Sequence, residues 1–77
     1  MREIISLRSY VLYDNNIFLF GKGDDGKNRS YWWNKGSWRR VAFGAFCNAG
    51  LHGKALSAKE AEAMIVARGD EFTTVLP

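Results

Sequence analysis

Three stretches carry side chains whose types and spacing could do chemistry. The first is Gly21-Lys22-Gly23-Asp24-Asp25-Gly26-Lys27-Asn28. It spells Gly-x-x-x-x-Gly-Lys after an apolar run, one residue short of a phosphate-binding P-loop. Three features argue against that chemistry. Asn28 stands where a Ser or Thr would hold magnesium, Asp24 and Asp25 repel an anion, and Arg29-Ser30-Tyr31-Trp32-Trp33 is no helix start to face a phosphate. A wide hairpin loop is the simpler outcome. A calcium loop on Asp24 and Asp25 fails as well, because an EF-hand needs alternating oxygen ligands and a glutamate at its twelfth position.

The second stretch holds the single thiol and the single imidazole, Cys47 and His52, five residues apart. A Cys–His nucleophile pair needs the two side chains within hydrogen-bond reach. Cys47 lies in Ala45-Phe46-Cys47-Asn48-Ala49, an apolar setting in which a free cysteine is expected to act as a small buried hydrophobe. His52 is expected in a glycine loop. One Cys and one His fall short of a zinc ligand set, so no metal and no cofactor are expected. The adjacent acids Asp24-Asp25 and Asp70-Glu71 read as solvated turn charges.

The third stretch is the strongest. Arg29-Ser30-Tyr31-Trp32-Trp33-Asn34-Lys35-Gly36-Ser37-Trp38-Arg39-Arg40 interleaves four aromatics with four basic side chains. In a strand, neighbours point to opposite faces, so Trp32 and Trp33 must part, as must Arg39 and Arg40. At least one large ring should then lie beside guanidinium groups. That pairing suits base stacking with phosphate contact or an aromatic and arginine hot spot for a protein partner. The candidate binding residues are Arg29, Tyr31, Trp32, Trp33, Lys35, Trp38, Arg39 and Arg40. No catalytic residue is assigned.

These residues need a scaffold, and the 77-residue length allows only a small one: a single domain over residues 1–77. A chain of this size buries roughly 60–65% of the surface it exposes unfolded. The 14% aromatic content supplies large buried areas per residue. One cysteine allows no internal disulfide, so packing alone must hold the fold, and a cytoplasmic setting is expected. No run of about 18 apolar residues occurs, and the charged start Met1-Arg2-Glu3 does not read as a signal peptide. The formal net charge of +3 is uneven: residues 26–59 carry seven basic side chains and no acid, between two flanks that are net acidic. The expectation is a basic central block on a folded domain.

Ile4–Tyr13 reads as a strand, Asp14-Asn15-Asn16 as a turn and Ile17–Phe20 as a second strand. Arg29–Asn34 and Ser37–Phe46 form a third and fourth strand about Lys35-Gly36. Asn48–Lys54 reads as a loop. Ser57 with Glu60 three residues on makes a capping box, and Leu56 can staple onto Ala61. Ala58, Ala61, Met64, Ile65 and Arg68 share a helical face, and Gly69 ends the helix. Phe72–Leu76 is a last strand. The order is β-β-β-β-α-β: an α+β fold with a small antiparallel sheet and one helix on a face. That helix should cover Val41, Phe43 and Ala45, with Arg39 at the rim, leaving Trp38 and Arg40 on the open face.

The order of strands, with the capped helix at Leu56-Ser57-Ala58-Lys59-Glu60-Ala61-Glu62-Ala63 and then Gly69-Asp70-Glu71-Phe72-Thr73-Thr74-Val75, resembles small phage-encoded inhibitors, such as anti-CRISPR proteins and the RNA-polymerase inhibitor of T7-like phages, in the pattern of about the last third of the chain. The resemblance implies a compact non-enzymatic protein that blocks a host or defence protein complex, with nucleoprotein included. It transfers no binding residue. The basic centre departs from the acidic, DNA-mimicking members of that class. Function is therefore expected to be non-catalytic binding through the basic and aromatic sheet surface. The alternative is direct binding of single- or double-stranded nucleic acid by the same surface, which salt should weaken steeply. No membrane partner is expected.

Overall fold

The computed structural model describes residues 2–3, 9–23, 25–73 and 75–76. The elements are β1 (Arg2–Glu3), β2 (Ser9–Tyr13), β3 (Asn16–Lys22), β4 (Asn28–Asn34), β5 (Ser37–Val41), α1 (Phe43–His52), β6 (Lys54–Leu56), α2 (Ala58–Ala67) and β7 (Val75–Leu76). Residues 4–8 of the expected first strand, and Thr74 of the last, lie outside the described residues.

Two tight turns build the meander. Asp14 and Asn15 (φ 50° and 62°) join β2 to β3, and Lys35 and Gly36 (φ 49° and 90°) join β4 to β5. Two positive-φ residues in sequence make the hairpin turn whose twist matches that of its strands, which is why Asp14, Asn15 and Gly36 suit three of these places, with Lys35 holding the fourth. The Gly-rich stretch is a hairpin loop. Gly26 holds φ 79°, Gly26 N–H donates to the Gly23 carbonyl, and Gly23 N–H donates to the Lys27 carbonyl. No helix follows it, so the P-loop geometry is absent.

The five-stranded sheet is antiparallel throughout, in the order β5-β4-β3-β2-β6. β1 and β7 form a separate antiparallel pair, Arg2 opposite Leu76 and Glu3 opposite Val75. The α+β class is as the sequence indicates, with α2 packed on one sheet face. On that front face Tyr10, Ile17, Leu19, Tyr31, Trp33 and Trp38 close over Ala61 and Ile65 of α2, with Leu12, Leu56, Met64 and Phe72 at the margin. Ala61 and Ile65 are four apart and therefore on one helical stripe.

α2 begins as read. Ser57 Oγ accepts from Glu60 N–H at 3.1 Å, and Glu60 Oε1 accepts from Ser57 N–H at 2.8 Å. It ends in a Schellman motif: Asp70 N–H donates to the Ile65 carbonyl, Gly69 N–H donates to the Val66 carbonyl, and Gly69 holds φ 89°.

The sequence expectation fails between Ala42 and Gly53. The fourth strand stops at Val41, and the residues read as its continuation and as a loop are α1, which returns the chain across the back face of the sheet to β6 on the far edge. Tertiary packing explains the switch. Phe43 and Phe46, three apart, both meet the Phe20 ring (centroids 5.2 and 5.4 Å), and Ala49, three further on, is fully buried. Apolar period three beats the alternation of Val41, Phe43 and Ala45. Gly53 lets the helix leave: a Cβ there would run into the carbonyl oxygens of Leu12 and Ala49.

Candidate functional site

Strand register sorts the eight candidate residues. Tyr31, Trp33 and Trp38 are 2%, 3% and 2% exposed and belong to the core. The expectation that Trp38 lies on an open face is thus corrected. α2 covers the face with the larger rings, and the segment after α2 seals it. Trp33 Nε1 donates to Asp70 Oδ2 at 2.8 Å and Trp38 Nε1 donates to the Thr73 carbonyl at 2.6 Å. A buried indole needs such an acceptor, and both find one in the same short stretch. Arg40 is on this front side of β5, opposite Tyr31, and is exposed at the sheet edge.

The back face holds the rest. Phe18, Trp32 and Arg39 lie in one cross-strand row, Phe18 opposite Trp32 and Trp32 opposite Arg39. Phe18 and Trp32 are half-buried and Arg39 is exposed. Arg39 has no carboxylate partner among the described residues. Lys35, exposed at the hairpin tip, shares with Trp32, Asn16 and Asn34 the lining of a shallow cleft of about 350 Å³. The structure thus groups Trp32, Lys35 and Arg39, and sets Arg40 apart. Arg29 is held in a two-pronged ion pair with Asp25, at 2.9 and 2.5 Å.

Sequence reasoning missed the aromatic contribution of α1. Phe43 is 59% exposed and Phe46 half-buried, so their rings extend the back-face apolar surface beyond Phe20. The three-residue spacing of Phe43, Phe46 and Ala49 was the available signal.

Cys47 is exposed on α1, not buried as its apolar neighbours suggest. His52 ends the same helix, its ring 6.2 Å from that of Tyr13. Five helical positions turn the chain through about 140° beyond a full circle, so Cys47 and His52 face different directions and form no dyad. Among the described residues no group of three His, Cys, Asp or Glu side chains converges as a metal site. No described helix is long and apolar enough to cross a membrane.

The Glu60 carboxyl is displaced downward from its ordinary titration. Its bond from the Ser57 backbone N–H, then that with the Ser57 side chain, hold its pKa below the usual glutamate value.

The chain matches no family model, no curated protein and no solved structure.

Proposed function

We propose that this protein is a non-catalytic binding module that docks its back face on an acidic macromolecular surface. The class of partner is a host or defence protein complex, nucleoprotein included, and the outcome of docking is inhibition. The observation that carries this reading is the Trp32–Arg39 cross-strand pair. Trp33 and Trp38 are spent on the core, yet Trp32 stays half-exposed beside an arginine with no carboxylate partner among the described residues. Tryptophan and arginine are the side chains that most often carry binding energy at the centre of protein interfaces. Phe18, opposite Trp32, supplies apolar surface beside the pair, and Lys35 adds charge at its rim. The same geometry favours one second reading. A half-exposed indole next to a guanidinium can stack on a base while the charge meets phosphate.

Affinity capture tests the proposal. The wild-type domain and a Trp32→Ala/Arg39→Glu double variant are immobilised, and retained protein and nucleic acid are identified with and without nuclease. The wild type should retain a partner that the variant loses. Nuclease-sensitive capture that falls log-linearly with salt would favour the nucleic-acid reading. Identical capture by both proteins would contradict the back face as the interface.

A further inference from the structure

None of the ten residues of α1 is Asp, Glu, Lys or Arg, and Ala49 alone among them is fully buried. A helix without a charged face is ordinarily an interior helix. The inner side of α1 is accounted for, since Phe46 meets the Phe20 ring and Ala49 is sealed. The outer side carries Phe43, Cys47 and Leu51, each four positions from the next, within an arc of about 80° at 3.6 residues per turn. Phe43 is 59% and Leu51 79% exposed, and Cys47 is exposed between them. Gly44 and Gly50 border this stripe, with open space over both.

We propose that this outer face of α1 is where two copies of the chain pair. Spacing, charge and shape select a second copy over a foreign partner. The stripe is symmetric about Cys47. In an antiparallel crossing centred there, each Phe43 meets the Leu51 of the other copy, so one two-fold axis satisfies both ends. The same crossing opposes the two helix dipoles. The face is uncharged, so two chains of net charge +3 meet there without placing like charges in contact, whereas an acidic target gains nothing from it. The bordering glycines let the two backbones approach closely.

The size of the face sets the strength of the pairing. A ten-residue helix is about 15 Å long and about 10 Å across, so helix against helix covers a few hundred Å² per copy, short of the about 800 Å² per partner of a standard interface. The dimer is therefore weak and reversible, with a dissociation constant of about 10 µM to about 1 mM. It is independent of the Trp32–Arg39 surface. Arg39→Glu should leave it unchanged, and salt that screens the basic face should not weaken an apolar contact.

The test is sedimentation velocity of the whole chain under reducing conditions, from about 10 µM to about 1 mM. The mass should rise from monomer towards dimer. Leu51→Glu should raise the dissociation constant at least about a hundredfold, because a leucine contact worth about tenfold is lost twice per dimer. Leu51→Gln, which adds no charge, should act in the same direction. Neither should lower the melting temperature of the monomer, since the side chain is already exposed. Cys47 then reports the geometry. Diamide takes up the two thiol hydrogens as one S–S bond forms, which needs the two cysteines close across the axis. Cys47 should be trapped as a disulfide dimer at least about tenfold faster than an exposed cysteine placed on α2 by Lys59→Cys with Cys47→Ser. Leu51→Glu should remove that advantage. A chain still monomeric at about 1 mM, a dimer that Leu51→Glu leaves intact, or trapping no faster than the α2 control would overturn the proposal.

Discussion

Trp33 and Trp38 meet edge to face across the β4–β5 hairpin, ring centroids 5.0 Å apart and planes at 75°. Each ring then donates its indole N–H to the segment that follows α2. The pair is thus both the centre of the front-face core and the anchor of the C-terminal segment. Trp38→Ala should cost about 3–5 kcal/mol, the range for removing a buried large aromatic. Trp33→Phe should cost about 1.5–3 kcal/mol for the lost hydrogen bond to a carboxylate, with some added loss of packing. Trp32→Ala should cost clearly less than Trp38→Ala. Urea unfolding curves of the three variants check the order. A Trp32→Ala loss equal to that of Trp38→Ala would mean the back face is core too.

The α2 cap can be separated into its two halves. Ser57→Ala should lower stability by about 0.5–2 kcal/mol, and Glu60→Ala by less, because only the reciprocal bond goes. The unfolding midpoint of each variant reads this directly. An unmoved midpoint for Ser57→Ala would contradict a helix start at that residue.

The same box sets a pH dependence. Glu60 titrates below its ordinary range in the folded chain, so its contribution is present above the unfolded glutamate pKa and fades as pH falls through the lower, folded one. The stability difference between wild type and Glu60→Ala should therefore be full at neutral pH and shrink in acid. Glu60→Gln, which keeps the hydrogen bond without the proton equilibrium, should differ from Glu60→Ala by an amount that does not shrink. Parallel denaturation series across acid pH measure both differences.

α1 offers a paired test of its own. Gly50 has open space where a Cβ would go, so Gly50→Ala in the helix should be neutral or stabilising by up to about 1 kcal/mol. Gly53→Ala should destabilise by about 1–3 kcal/mol, because the new carbon meets backbone that cannot swing aside. Thermal unfolding of the two variants should move in opposite directions or leave Gly50→Ala unmoved. Equal destabilisation would argue that residues 43–52 are not helical.

Features fixed by neighbours along the chain could be read from the sequence. The Asp14-Asn15 and Lys35-Gly36 turns, the Ser57–Glu60 box and the Gly69 terminator each depend on a few adjacent residues whose chemistry has one good use. α1 could not be read that way. Its sequence has two glycines and no cap, and its helicity rests on Phe20, more than twenty residues earlier. The binding face was legible only by halves. Alternation separates Trp32 from Trp33 and Arg39 from Arg40, but which member faces solvent depends on where the helices and the Asp70–Thr73 segment settle. Covering the sheet on both sides reversed the expected role of Arg40. It left Arg39, beside Trp32, as the arginine of the back face.

The most direct measurement is a binding titration of single charge reversals against the partner the wild type captures, beside the melting temperature of each variant. Arg39→Glu should weaken binding at least about tenfold, as loss of a central interface arginine does. Its melting temperature should hardly move, since exposed substitutions usually stay within about 0.5 kcal/mol. Lys59→Glu makes the same change of charge on exposed α2 and should leave affinity nearly intact, and Arg40→Glu should do far less harm than Arg39→Glu. Equal losses for Arg39→Glu and Lys59→Glu, or losses that merely follow unfolding, would contradict the Trp32–Arg39 face as the docking surface.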